Sequence, residues 1–213
     1  MKKDISHWIL LMIGLLACFG VIGRFGLSID KALTEGGEVS EVIVRLLGYL
    51  TIWTNILVAV VATTCSLFPN SKFGCFLADV RIFGGVVTAI VFVAIGYYVL
   101  LSGLYGPAGF SGLLNIVNHY IVPGAMLIYW LIFPPTQQLN WLLPFVWGVY
   151  FLIYAMYVTI RGELIDKYPY PFIDVIEIGY PEAITNGMML IASFAVLGYA
   201  LLVLIRFRIK YFS

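Results

Sequence analysis

Six stretches of roughly 20 residues run along this chain almost without charge, and the solvent they require decides the fold. They are Trp8–Leu27, Leu46–Phe68, Ile82–Leu104, Leu113–Phe133, Trp141–Ile160 and Ala183–Ile205. Apolar residues make up 62% of the 213 and charged residues 11%, against the roughly 25% that solvates a soluble domain. Hydrocarbon offers no partner to a free backbone N–H or C=O, so only helices or a closed barrel can cross it. Long uninterrupted runs fit helices, because barrel strands need only about ten residues of alternating character. The sequence therefore predicts an all-α integral membrane bundle of six transmembrane helices, a single domain over residues 1–213. Pro69-Asn70, Gly106-Pro107, Pro134-Pro135 and the series Pro169, Pro171 and Pro181 punctuate the spans.

The first run follows Lys2 and Lys3 as a signal peptide would. It stays apolar past Cys18 to Ile22, too long for a signal core, and reads as the first membrane helix. Cys18, Cys65 and Cys75 have neither pairing nor metal spacing and read as free thiols. A net charge of +1 gives no ground for a nucleic-acid partner. Neither a metal nor another cofactor is expected, because the two histidines, His7 and His119, fall at different depths.

Basic residues set the orientation. Lys2, Lys3, Lys72, Arg81, Arg206, Arg208 and Lys210 lie on one side; Lys31, Arg45, Arg161 and Lys167 lie on the other. The first side is expected to be cytoplasmic and to hold both termini. Positions then become depths at 1.5 Å per residue: Thr51 about 8 Å and His119 about 9 Å below the outer surface. Arg24 falls near the outer end of the first helix, Tyr97, Tyr98 and Ser102 in the outer half of the third, and Tyr154, Tyr157 and Thr159 in that of the fifth. With Thr185 and Asn186 opening the sixth, all six helices carry polar groups in the outer half, which reads as a pocket opening outward.

Tyrosines near helix ends often form an interfacial belt, and a lone Thr often bonds its own backbone. His119 is different, as the only histidine inside a span, where ionisable groups are costly and usually functional. Asn115 stands one turn before it and Asn118 beside it. Pro123, four residues on, removes the N–H that the His119 carbonyl needs, so a kink is expected there. Thr51 and Asn55 share a face of the second helix, with Thr54 beside it. Hydroxyl, imidazole and amides at one depth suit nucleophilic catalysis: Thr51 attacks, His119 takes the proton, and Asn55, Asn118 or Tyr154 holds the oxyanion or orients the base. Arg24, Thr54 and Tyr98 are the expected substrate contacts. No acid falls inside a predicted span, so a carboxylate-oriented triad is not expected.

Leu50-Thr51-Ile52, Asn118-His119-Tyr120-Ile121-Val122-Pro123 and Tyr168-Pro169-Tyr170-Pro171-Phe172, in this order and spacing, resemble the androgen-induced-protein/Pr6Pr group of small six-helix membrane proteins. The resemblance runs from the second helix to the sixth. Eukaryotic members of that group are intramembrane threonine hydrolases that cleave esters of fatty acids with hydroxy fatty acids. The resemblance puts the nucleophile at Thr51 and the base at His119. Animal members carry their histidine one residue further from the proline, at the position of Asn118, so His119 implies a register shifted by one; Thr54 is the nucleophile if the second helix slips too. Bacterial relatives usually have an Asp soon after that proline, where this chain has Tyr129. The expectation is a lipid ester hydrolase in a bacterial plasma membrane acting on a membrane lipid or fatty-acyl ester, with a non-enzymatic lipid-binding or transport protein as the alternative.

Overall fold

The computed structural model describes residues 2–104, 106–137 and 139–212. The side chains of Lys2, Lys3 and Asp4, part of the charge count, lie outside that set. The chain is all helix and turn among the described residues. In order it forms α1 (Lys2–Thr34), α2 (Val39–Leu46), α3 (Leu50–Leu67), α4 (Lys72–Leu77) and α5 (Val80–Gly96), which continues as a π turn (Tyr97–Leu101). Then come α6 (Gly109–Ile116), a second π turn (Val117–Ile121), α7 (Val122–Ile132), α8 (Leu143–Ile165), a short 3-10 turn (Pro171–Ile173), α9 (Val175–Ile178) and α10 (Tyr180–Phe212). Among the described residues six helical stretches are long and apolar enough to cross a membrane: Ile5–Thr34, Leu50–Leu67, Val80–Leu101, Gly109–Ile132, Leu143–Ile165 and Tyr180–Tyr211. The protein is an integral membrane protein built as an all-α bundle.

Two boundaries differ from the sequence reading in ways that matter. The first helix runs on to Thr34, so Arg24 sits ten residues inside it rather than near its end. The second span does not begin at Leu46. Residues 47–49 break the helix between the amphipathic α2 and α3, which puts Thr51 in the first turn of α3 instead of one and a half turns down. The carbonyls exposed by the break are met by side chains: Trp53 donates to Leu47 (2.7 Å), Tyr154 to Gly48 (2.7 Å) and Arg161 to Val44 (3.0 Å).

Contacts sort the helix ends onto two faces. On one, the Val80 N–H donates to Gln137 (2.9 Å), and Arg206 and Arg208 donate to the carbonyls of Leu139 and Leu131. Arg206 also lies over the Trp141 ring, 4.1 Å from its centroid. Asp79 caps α5 here, and the Arg81 side chain bonded to it holds its carboxyl down at about 2. On the opposite face Arg24 meets Ser111, Asn115 meets Tyr97, and the Leu50 N–H meets Tyr170.

Helix α5 is the most enclosed span, with 61% of its apolar window buried against 28% for α1 and for α10. Between apolar helices in lipid, close van der Waals fit must supply the association that the hydrophobic effect supplies in water. Small residues provide it. Trp147 of α8 lies in a notch cut by glycines: a Cβ on Gly84 would meet its ring at 2.5 Å, and one on Gly85 at 3.2 Å. Its indole N–H donates to the Val80 carbonyl (3.1 Å), so α5 and α8 are locked in register.

Candidate active site

Pro123 has no N–H, so the carbonyls one turn before it lose their helical donor. The fourth span answers by widening rather than by a simple kink. Over Val117–Ile121 it adopts a π turn, with the Val122 N–H bonded back to the Val117 carbonyl, before α7 resumes. In that wide register the donor for the Asn118 carbonyl would be Pro123. Asn55 supplies it instead: its Nδ2 donates to the Asn118 carbonyl (3.2 Å) and also to the Thr51 carbonyl (2.9 Å). One buried amide therefore staples the first turn of α3 to the π turn.

The staple brings Thr51 and His119 together, Oγ1 to Nε2, at 3.1 Å. The other imidazole nitrogen, Nδ1, lies 3.0 Å from the Asn115 carbonyl. A carbonyl only accepts, so Nδ1 carries the proton and Nε2 turns its lone pair toward the Thr51 hydroxyl. That is the tautomer a general base needs. Tyr97 stacks on the imidazole, with ring centroids 3.9 Å apart and planes 22° from parallel, and receives an N–H from Asn115 (2.7 Å). Among the described residues no carboxylate pairs with His119; the Asn115 carbonyl orients it.

The first turn of a helix leaves N–H groups without helical acceptors. Leu50 donates its own to the Tyr170 hydroxyl (3.0 Å), while the Thr51 N–H has no acceptor among the described residues. Tyr170 also reaches the hydroxyls of Thr51 and Tyr154, and burial pushes its phenol up to about 12, so it remains a proton donor throughout the neutral range. The sequence offered Tyr170 only as part of a proline-rich loop, with no depth to mark it.

Other expected site residues stand differently. Asn118 is buried and donates to the Gly20 carbonyl (3.2 Å); Asn55 and Tyr154 likewise spend donors on carbonyls. An oxyanion at Thr51 must find other donors. Thr54 is fully buried, donates to the Leu50 carbonyl (2.8 Å) and pairs with Tyr150 (3.0 Å), so it is held away from any ligand. Tyr98 is 68% exposed on the outside of the bundle. The inward series Val86, Ile90 and Val93 continues to Tyr97, leaving its neighbour outside. Arg24 binds the Ser111 hydroxyl (3.1 Å) and carbonyl (3.4 Å), has no acidic partner among the described residues, and lies near Tyr49 and Tyr97.

Gly20 tests how tightly this arrangement is set. A Cβ there would lie 2.0 Å from Asn118 Oδ1 and 2.9 Å from its Cγ. In a helix Gly→Ala normally gains up to about 1 kcal/mol. Overpacking costs about 1–3 kcal/mol, and here the displaced group is the Asn118 side chain, which bonds the Gly20 carbonyl beside the main-chain oxygen that Asn55 staples. Gly20→Ala is expected to lower the unfolding temperature in detergent and to weaken any reaction at Thr51, against the usual sign of the exchange.

Thr51 also lines an apolar cavity of about 620 Å³ between α5, α8 and α10. Fold and site together define a class: an integral membrane six-helix bundle with a Thr–His pair at the wall of an apolar chamber. Comparison of the chain with family models, curated proteins and solved structures gives no match.

Proposed function

We propose that the protein is an intramembrane lipid ester hydrolase with Thr51 as nucleophile and His119 as base. The observation that carries this reading is the 3.1 Å contact between Thr51 Oγ1 and an imidazole nitrogen left free to accept by the Asn115 carbonyl. The resemblance to the Pr6Pr group points to the same two residues.

Thr51 Oγ bonds to the ester carbonyl carbon as its proton passes to His119 Nε2. The oxyanion faces the unspent Thr51 N–H and the Tyr170 hydroxyl, preorganised donors of the kind that stabilise developing charge most. The carbon–oxygen bond to the alcohol then breaks, and the alcohol leaves with the proton from His119. Water attacks the acyl-Thr51 ester with His119 as base again; the acid departs and the proton returns to Thr51. Arg24, without an acidic partner among the described residues, is placed to hold an anionic group of the substrate. Both termini lie in the cytoplasm by the distribution of basic residues, with the site toward the outer leaflet.

A lipid-like fluorophosphonate tests the reading. Wild-type protein is expected to label on the peptide containing Thr51, Thr54→Ala to label as well, and Thr51→Ala not at all. A folded wild type that does not label overturns it. The binding-protein alternative draws on the cavity alone, and predicts that lipid binds equally well with or without the Thr51 hydroxyl.

A further inference from the structure

The cavity beside Thr51 has a floor, a roof and an open side. Phe92 and Phe151 close its lower end, their ring centroids 5.1 Å apart, with Phe194 packed against both at 5.3 and 5.1 Å. Below that floor α8 and α10 touch: a Cβ on Gly198 would lie 3.2 Å from Pro144, and Phe145 meets Tyr199 edge-on. Above it the two helices part. Gly96 of α5 and Gly187 of α10 line the cavity, and a Cβ on either would meet nothing within 4 Å.

The roof is the loop before α10. Tyr168, Tyr170 and Phe172 face the cavity, Tyr170 stacks on Phe172, and Asn186 pins the Phe172 carbonyl (3.0 Å). The side is open between α8 and α10, where Met156 and Met188 line the cavity yet are 64% and 59% exposed on the lipid-facing surface. Among the described residues no charged side chain lines the chamber, and Thr51 sits in its wall with the Tyr170 hydroxyl within reach. A ligand that fits is apolar along its length and polar only at the end that meets Thr51.

We propose that the cavity takes one extended acyl chain of a bilayer lipid, sideways between α8 and α10, and that the Phe92–Phe151–Phe194 floor sets the longest chain accepted. The placement of its carbonyl at Thr51 rests on the hydrolase reading; occupancy of the cavity does not. Lipid tails are as apolar as the chamber, so a chain gains little per methylene on leaving the bilayer. Selection therefore works by exclusion. Capture stays level with chain length until the terminal methyl meets the phenyl floor, then falls, because a close-packed floor resists overpacking.

The test uses Thr51→Ala protein in phosphatidylcholine nanodiscs and a series of straight-chain fatty acid methyl esters bearing a terminal diazirine. Photocapture is expected to be level and then drop beyond one length, with crosslinks from the longest accepted chain on the floor phenylalanines. Phe151→Ala moves the drop to longer chains, and Gly187→Phe, whose Cβ would meet nothing within 4 Å, abolishes capture. Met156→Trp combined with Met188→Trp narrows the side opening and slows loading; an unchanged loading rate removes the sideways route. Crosslinks confined to the outer surface, or a length limit unmoved by Phe151→Ala with capture surviving in Gly187→Phe, overturn the proposal. Capture as described in a protein that no fluorophosphonate labels leaves the chain site standing and removes the hydrolase. Labelling of Thr51 without capture does the reverse.

Discussion

His119→Ala is expected to slow acylation of Thr51 by roughly 10²–10⁴-fold, the range for loss of a positioned general base. The protein should still fold, because His119 is half-buried and its two hydrogen bonds go to the Thr51 hydroxyl and the Asn115 carbonyl rather than to the amide staple. The stacked face of Tyr97 would border the vacated space. Added imidazole should therefore restore part of the labelling rate in His119→Ala and none in Thr51→Ala. His119→Gln, which can hydrogen-bond but not accept a proton at neutral pH, should be as slow as His119→Ala without rescue. Rates in all variants equal to wild type would remove His119 from the chemistry.

The second large effect is at Asn55, a residue that touches no ligand. Asn55→Asp preserves shape and removes both donors, and it presents a carboxylate to two carbonyl oxygens in a site without exposure. The Asn118 carbonyl then loses its only donor among the described residues, at about 1–3 kcal/mol, a large share of the roughly 5–15 kcal/mol that holds a typical protein together. The Thr51 carbonyl keeps the helical N–H of residue 55. Asn55→Leu orphans the same Asn118 carbonyl without adding charge, so it should be the milder of the two. Both are expected to unfold at lower temperature in detergent. Where they remain folded, labelling of Thr51 should fall while acyl-chain capture persists, since Asn55 does not line the cavity. Asn55→Asp with the stability and labelling rate of wild type would mean that the amide is not what joins α3 to the π turn.

Much of this was legible in the sequence because lipid enforces such simple rules. Six apolar runs gave six spans, and depth alone put Thr51, Asn55, His119 and the outer tyrosines at one level. What depth could not supply was phase. Tyr97 and Tyr98 are equally deep, and only the continuation of the Val86, Ile90 and Val93 stripe tells which one faces the bundle. Pro123 announced a disturbance, but a missing N–H can be met by a kink or by a widened turn. The wider turn is used here, and it leaves the particular carbonyl that Asn55 serves. That choice depends on a partner 63 residues away in sequence. The break at residues 47–49 was hidden because Leu46-Leu47-Gly48-Tyr49-Leu50 carries no charge and reads as the opening of the span. Tyr170, on a loop outside every span, acquires its place only when the loop folds over α3.

The gap between α8 and α10 changes what concentration means for this protein. A chamber filled from water responds to molecules per litre. One whose mouth opens into hydrocarbon responds to molecules per lipid, so its occupancy is set by the mole fraction of the ligand in the surrounding leaflet. Diluting the membrane suspension with buffer would leave that occupancy untouched, whereas diluting the ligand with inert phospholipid at constant volume would lower it in proportion. Membrane composition would then act as a competitor in its own right, because every neighbouring tail short enough for the chamber contends for the same opening.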